Sequence, residues 1–484
     1  MELGLRATHF TPWVDRLGYG YSIFDYSKYS SSCTPTQYCG FLWNKRDPNV
    51  PLGGFPTRAL FWQPRFGVAY DLSGKGNTVL RGGWGRYYYH SGQFTNGLDV
   101  SAGVVSRTLG NNVNGVPVLA KNLDTLNVAD QASSPAAVDS KDDRQPYTDS
   151  YSFTVSQRLP WSSLMEVAYV GNQSHDLPIT SGATSNINLV PVGSMLASKN
   201  GGVDPNSLTA NDFRPLKGFS DLGLATNGGW SNYNALQVTW VRTKGKYTIN
   251  MNYAFAKAMS VVNTSLDPFN INNDYAVQPT NRTHIFNAAY SVELGNPLKG
   301  SRVAGGFVNG WQLSGILQLE SGPNLAGIQG QNFGMNLNGY KIPGTAFNVS
   351  NTSLLGTPNI QLNPIVTCNP ASGLAAHQFI NPNCFSFPTA VGQNGPTTLP
   401  AIYGPAFFNT DLGLFKNFQF KESRKLQLRF NGYNFLNHPL WSFNGTNLNL
   451  SFDGTTGKVN APLFGTVTQK QGHRVIQAAV KFYF

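Results

Sequence analysis

The sequence predicts an all-β fold, an antiparallel transmembrane β-barrel of the outer-membrane kind, with short periplasmic turns and long extracellular loops. Three observations carry this. Apolar and polar residues alternate with period two over segments of about ten residues, the length of a tilted membrane-crossing strand. Tight turns between these segments alternate with very long connections. The faces opposite the apolar ones carry Ser, Thr, Asn, Gln and isolated charges, which suit a wet lumen better than a dry core.

Composition agrees. The 484 residues are 12% charged, 40% hydrophobic and 13% aromatic, with 51 Gly and 29 Pro. That many aromatics demand burial and exclude a disordered chain, and the Gly and Pro content favours strands and turns over helices. The net charge of +11 raises nucleic acid as a partner, but the basic residues Arg65, Arg81, Arg158, Arg242, Lys257, Arg429 and Lys481 are scattered singly, so nucleic-acid binding is not expected. No apolar run reaches the ~18 residues of a spanning helix, and Met1-Glu2-Leu3-Gly4-Leu5-Arg6 lacks the apolar region of a secretory signal.

Along the chain, a first strand is expected at Leu3-Gly4-Leu5-Arg6. Phe66, Val68, Tyr70 and Leu72 alternate with Arg65, Gly67, Ala69 and Asp71; Ser73-Gly74-Lys75-Gly76-Asn77 then turns the chain into Leu80, Gly82 and Trp84. Tyr147, Tyr151, Phe153, Val155 and Leu159 alternate with hydroxyl residues, and after Pro160-Trp161-Ser162 the pattern resumes through Met165, Val167 and Tyr169. Leu236, Val238 and Trp240 precede the turn Thr243-Lys244-Gly245, and Tyr247, Ile249, Met251, Tyr253 and Phe255 follow it. Phe286 to Leu294 pair with Trp311 to Leu319 across a turn near Asn296-Pro297. Leu412 and Leu414 pair with Leu426, Leu428 and Phe430 across Lys421-Glu422-Ser423. Each unit reads as a hairpin.

The long connections run roughly from Pro12 to Leu60, His90 to Pro146, Asn172 to Trp230, Met259 to Asn281, Gly322 to Ala406 and His438 to Gly472. A soluble sandwich has short loops at both ends, so this one-sided asymmetry decides for the barrel. Tyr147, Trp161, Tyr169, Trp240, Tyr247, Tyr253 and Trp311 fit interfacial girdles, with outer-membrane lipid as the partner.

The last strand places Ile476, Ala478, Val480, Phe482 and Phe484 on one face. An amphipathic strand ending in an aromatic resembles the signal by which the barrel-assembly machinery recognises its clients.

Several segments resemble TonB-dependent outer-membrane receptors of the Oar-like type. They are Gln63-Pro64-Arg65-Phe66-Gly67-Val68-Ala69-Tyr70-Asp71 with Thr78-Val79-Leu80-Arg81-Gly82-Gly83-Trp84-Gly85, Gln145-Pro146-Tyr147 entering a strand, Glu166-Val167-Ala168-Tyr169-Val170-Gly171, Ser231-Asn232-Tyr233-Asn234-Ala235-Leu236-Gln237, Gly310-Trp311-Gln312-Leu313-Ser314-Gly315, and Phe430-Asn431-Gly432-Tyr433-Asn434-Phe435-Leu436-Asn437-His438-Pro439. The resemblance implies a barrel of about 22 strands, closed by a plug, preceded by a regulatory-like domain and driven through the TonB complex. About twelve strands are counted here. Residues 1–484 are therefore expected to be the C-terminal portion of such a barrel, without plug or regulatory-like domain, so that TonB acts only if the missing N-terminal part is supplied.

Chemistry is sparse. The seven histidines lie apart in sequence without ligand spacing, and no nucleophile motif is present; no enzyme, metal or cofactor is expected. Cys33 with Cys39 and Cys368 with Cys384 fall in long loops and read as two disulfides of an oxidising compartment, the alternative being four free thiols. Tyr87, Tyr88, Tyr89, Trp230 and Trp441 are candidate contacts for an unidentified ligand, carbohydrate among the classes considered, with girdle anchoring as the competing role. The functional expectation is a transporter segment that binds or imports a ligand through its extracellular loops. The alternatives are an adhesive or structural outer-membrane barrel and a small passive pore.

Overall fold

The computed structural model describes the chain except residues 15–17, 19, 33–37, 91–111, 114–115, 118–134, 180–184, 262–266, 299, 326–333, 399–401 and 421–423. Twelve strands form one antiparallel sheet in sequence order: β1 (Glu2–Thr8), β2 (Phe61–Asp71), β3 (Thr78–Tyr88), β4 (Tyr147–Leu159), β5 (Ser163–Ile179), β6 (Gly223–Arg242), β7 (Tyr247–Val261), β8 (His284–Gly295), β9 (Trp311–Glu320), β10 (Phe407–Gln419), β11 (Lys425–Tyr433) and β12 (Val475–Tyr483). Each strand pairs with its neighbours in the chain, and β1 and β12 do not pair with each other, so the sheet is open.

Register turns the sequence alternation into two continuous surfaces. Tyr70, Leu80, Val155, Val167, Val238, Tyr253, Phe286, Leu319 and Phe408 stand opposite one another in an unbroken apolar row across β2 to β10. One residue along, Asp71, Ser156, Glu166, Thr239, Asn252, Asn287, Gln318 and Asn409 make the corresponding polar row, interrupted only at Val79. A second apolar row, Tyr247, Val292, Leu313, Leu414, Phe430 and Ala478, carries the same face through to β12. On the polar face the side chains satisfy one another. Arg81 donates to Ser156 Oγ at 2.9 Å and to Glu166 Oε1 at 3.1 Å, Ser156 donates to Glu166 at 2.6 Å, and Gln312 donates to Ser291 at 2.7 Å.

The turns at one end are tight where the sequence allows it. Gly74 and Gly76 take positive φ in the β2–β3 turn, and Asp71 closes it by accepting from the Gly76 N–H at 2.6 Å. Trp161 and Ser162 also adopt positive φ in the β4–β5 turn, an uncommon conformation for residues with a Cβ. Two expectations need correction here. The β8–β9 connection is no tight turn at Asn296-Pro297 but residues 296–310, containing α1 (Arg302–Val308) capped by Ser301. The central strands also exceed the expected length: β5 has 17 residues, β6 has 20 and β7 has 15. They rise past the sheet, where Gly223–Ala225 of β6 pair in parallel with Ala136–Val138. The turn at Lys421-Glu422-Ser423 lies outside the described residues.

All long connections leave from the other end, and they hold the buried cores. One core joins the β9–β10 and β11–β12 connections through Leu325, Leu354, Ile380, Phe385, Phe387, Phe452 and Phe464. It includes α2 (Asn351–Leu355), whose N-terminus is closed by a Ser350–Ser353 capping box. A second core gathers Phe24, Phe41, Ala137, Phe219 and Leu222 from three other connections. At its side Asn188, wholly buried, donates to the carbonyls of Leu216, Phe219 and Ser220 and accepts from the Leu216 N–H. A buried amide satisfied this fully stabilises the loop around it.

Candidate functional site

The candidate residues divide among three places at the long-loop end. At the top of β3, Tyr88 is built into a row of rings. Its centroid is 5.0 Å from Phe61 and 5.1 Å from Tyr147, which in turn lies 5.2 Å from His175. Ion pairs brace this row. Arg86 grips both oxygens of Asp149 at 2.8 and 2.7 Å beneath the Tyr147 ring, and Arg58 grips Asp143 at 3.1 and 2.6 Å. Arg144 holds Asp142 at 2.7 and 3.0 Å and reaches Asp176 at 3.1 Å. The hydrogen bonds to Asp143 and Asp142 push the Arg58 and Arg144 guanidinium pKa values upward. Tyr88 therefore serves the base of the loops.

Tyr87 and Tyr89, by contrast, are 41% and 43% exposed. Tyr87 lies under the Arg65 guanidinium at 4.8 Å and lines a groove of about 340 Å³ on the polar face, whose floor is made by Gly83, Gly85, Ser150, Ser152 and Asn172. Burial pushes the Tyr89 phenol up.

Trp230 belongs elsewhere. It sits 6.4 Å from Tyr275, and Tyr275 lines a cavity of about 620 Å³ between the β7–β8 and β9–β10 connections. Asp267, Asn272, Asn273, Asn394, Thr397 and Thr398 supply its polar wall, and Leu355 and Ile360 its apolar one. Asp267 accepts from Asn273 Nδ2 at 2.9 Å, and Thr397 donates to the Asn273 carbonyl at 2.6 Å, which ties the two connections together. Sequence reasoning missed this cavity. Its signal was the run Asn270-Ile271-Asn272-Asn273 before Tyr275, which carries no spacing motif.

Trp441 is apart from both, packed on His377 at 4.4 Å with Lys470 over its ring. The structure thus brings Tyr87, Tyr88 and Tyr89 into one neighbourhood and leaves Trp230 and Trp441 outside it. A further hollow of about 440 Å³ lies on the polar face of β7 to β11, edged by Asn250, Ser291, Asp411, Arg429 and Asn431.

Cys368 and Cys384 are joined in a disulfide at the edge of the larger loop core. Cys39 is disulfide-bonded, and Cys33 lies outside the described residues. Among the described residues no three His, Cys, Asp or Glu side chains converge in a metal-binding group. Ile476, Ala478, Val480 and Phe482 share the apolar face of β12, and Phe484 ends the chain 94% exposed.

An amphipathic antiparallel sheet with tight turns at one end and folded loops at the other defines an outer-membrane β-barrel protein. The model of the outer membrane beta barrel domain family matches residues 1–477, and the chain belongs to that family. Its place is the cell outer membrane, with the apolar rows facing lipid and the long connections outside the cell. No curated protein sequence matches it. Among solved structures it is similar to the outer membrane transporter YddB from Escherichia coli, at 10% identity and TM-score 0.38, covering 88% of this chain and 41% of that one. The FrpB iron transporter from Neisseria meningitidis gives 8% identity and TM-score 0.40, with 89% and 40% covered. The siderophore receptor PirA from Acinetobacter baumannii gives 9% and 0.37, with 88% and 41%. The chain spans about two fifths of the length of these solved chains.

Proposed function

We propose that the chain is the barrel portion of a TonB-dependent transporter of the Oar-like type, which binds a ligand at its extracellular loops and imports it when a plug and a TonB-contacting segment are supplied. It performs no catalysis. The observation that carries this reading is the pair of open sheet edges, β1 and β12. Unpaired backbone N–H and C=O groups cost several kcal/mol each in hydrocarbon, so the sheet needs further strands to close. The motifs on β2, β3, β5, β6, β9 and β11 that resemble the Oar-like receptors support the same reading. The loop cavity beside Tyr275 and the exposed Tyr87 and Tyr89 are where the ligand is met, and the apolar face of β12 is what the assembly machinery reads.

A small pore would instead require β1 to pair with β12. Cysteines placed by Leu5→Cys and Val480→Cys test this, because neither position is adjacent to the other in the open sheet. Failure of the pair to cross-link in isolated outer membranes is expected. Ligand uptake that requires a working TonB system, seen only when the plug-bearing part is co-expressed, supports the transporter. A cross-linked pair with steady conductance in planar bilayers overturns it in favour of the pore.

A further inference from the structure

The β8–β9 connection departs from the other periplasmic connections whose residues are described. Residues 72–77, 160–162 and 243–246 are tight and short, whereas 296–310 fold into α1 and its flanks. The internal bonds fix its shape. Asn309 Nδ2 donates to the Leu298 carbonyl at 2.6 Å and Asn309 Oδ1 accepts from the Leu298 N–H at 3.0 Å; Ser301 Oγ accepts from the Ala304 N–H. Buried Gly305 packs against Leu298 and Asn309. None of this uses Val303 or Phe307, one turn apart on the helix, which stay 75% and 74% exposed.

The direction in which this element folds is fixed by Trp311 and Lys416. Both stand on the lipid-facing side of their strands, opposite each other in the β9–β10 register. Trp311 Nε1 donates to the Phe307 carbonyl at 2.7 Å. Lys416 is buried, its ammonium bonded to the Asn309 carbonyl and lying over the rings of Trp311 at 5.4 Å and Phe418 at 5.0 Å. A lysine on the lipid-facing side can be covered there only if the connection folds back over the outside of the barrel. The exposed side chains of Leu294, Leu298, Val303 and Phe307 then continue the apolar band past its periplasmic rim, beside a girdle tryptophan.

We propose that α1 lies in the periplasmic lipid interface, with Val303 and Phe307 inserted at the boundary between headgroups and acyl chains. Its occupant is phospholipid, because the helix is joined to the lipid-facing surface and presents the same chemistry. Burying an aromatic and a branched side chain there favours insertion, and the Lys416 charge beside them is taken up by the Asn309 carbonyl and the rings of Trp311 and Phe418 rather than left in the acyl chains.

The chain has no free cysteine among its described residues, so Val303→Cys, Phe307→Cys and the turn control Lys75→Cys can each carry one nitroxide label in isolated outer membranes. Collisions with dissolved oxygen are expected to exceed those with an aqueous nickel chelate several-fold at the first two positions, and the reverse at the control. Chelate access equal to the control would overturn the proposal by placing the helix in water. Shielding from both reagents would overturn it by placing protein over the helix. In the unsubstituted chain a carbene-generating phospholipid should label the segment 302–308 and spare 72–77; no label on 302–308 would equally overturn it.

Discussion

The backbone N–H of Gly193 donates to the carbonyl of Leu355 at 2.8 Å, across two extracellular connections that are distant in sequence. Three more bonds run beside it: Met195 N–H to the Gly356 carbonyl at 3.0 Å, Thr357 Oγ1 to the Val190 carbonyl at 2.7 Å, and Val190 N–H to Asn359 Oδ1 at 2.8 Å. Val190, Met195 and Thr357 are buried in this seam. The long loops therefore behave as packed structure, joined above the barrel.

Gly356 is the weak point of that seam. It ends α2 with φ +65°, and a Cβ there would stand 2.5 Å from the Gly193 Cα. Gly356→Val adds left-handed strain to a backbone clash and should cost about 1–3 kcal/mol. Hydrogen exchange at the Gly193 and Met195 amides should speed up while the amides of β4 to β7 keep their protection. Unchanged exchange at both loop amides would show that the seam carries no stability.

The rows of the sheet predict an asymmetry between adjacent residues. Val155 stands in the apolar row between Leu80 and Val167, and Thr154 in a polar one between Arg81 and Ala168. Val155→Lys should destabilise the barrel by roughly 2–4 kcal/mol and Thr154→Lys by far less. Urea titration of the folded fraction, read by heat-modifiable gel mobility, measures both. Equal costs would remove the assignment of faces.

The Cys368–Cys384 bond closes a separation of 16 residues, with Cys384 fully buried next in sequence to the core residue Phe385. Replacing both cysteines with serine should cost about 3 kcal/mol of loop stability. Protease should then cut within 365–386 while strand fragments stay intact. Mass spectrometry of the non-reduced chain should find this linkage and Cys33 with Cys39, and no free thiol.

The strands were legible because one period governs both faces: Ile249 and Met251 against Asn250 and Asn252 can be sorted without knowing any partner. The loops were not. Phe41, Phe219, Phe385 and Phe464 are buried by contacts between distant segments, so no local periodicity announces them. The helix α1 was missed for a related reason, since Gly305 and Gly306 argue against helix and only Ser301 marks its start. At the site, the consecutive tyrosines Tyr87 to Tyr89 could be named but not told apart, because which of them is spent on Phe61 and Tyr147 depends on β2 and β4.

His90 gives the loop base a pH dependence. Its ring lies stacked between Phe10 at 5.5 Å and Trp13 at 5.2 Å, and burial pushes its pKa below the ordinary 6.5, against an opposing backbone hydrogen bond to Thr11. The closed stack thus holds the imidazole neutral and binds fewer protons than the open segment does. Its stability is fully present above pH 6.5 and is lost as the pH falls through the lowered folded value. Between about pH 7.5 and about 5, hydrogen exchange over residues 9–14 should accelerate relative to β2 and β4. His90→Phe keeps an aromatic ring between Phe10 and Trp13 and removes the titrating group, so its exchange should stay flat over the same range. A parent chain that shows no change would mean that the clamp has no acid response, and a His90→Phe variant that loosens to the same degree would mean that another group governs it.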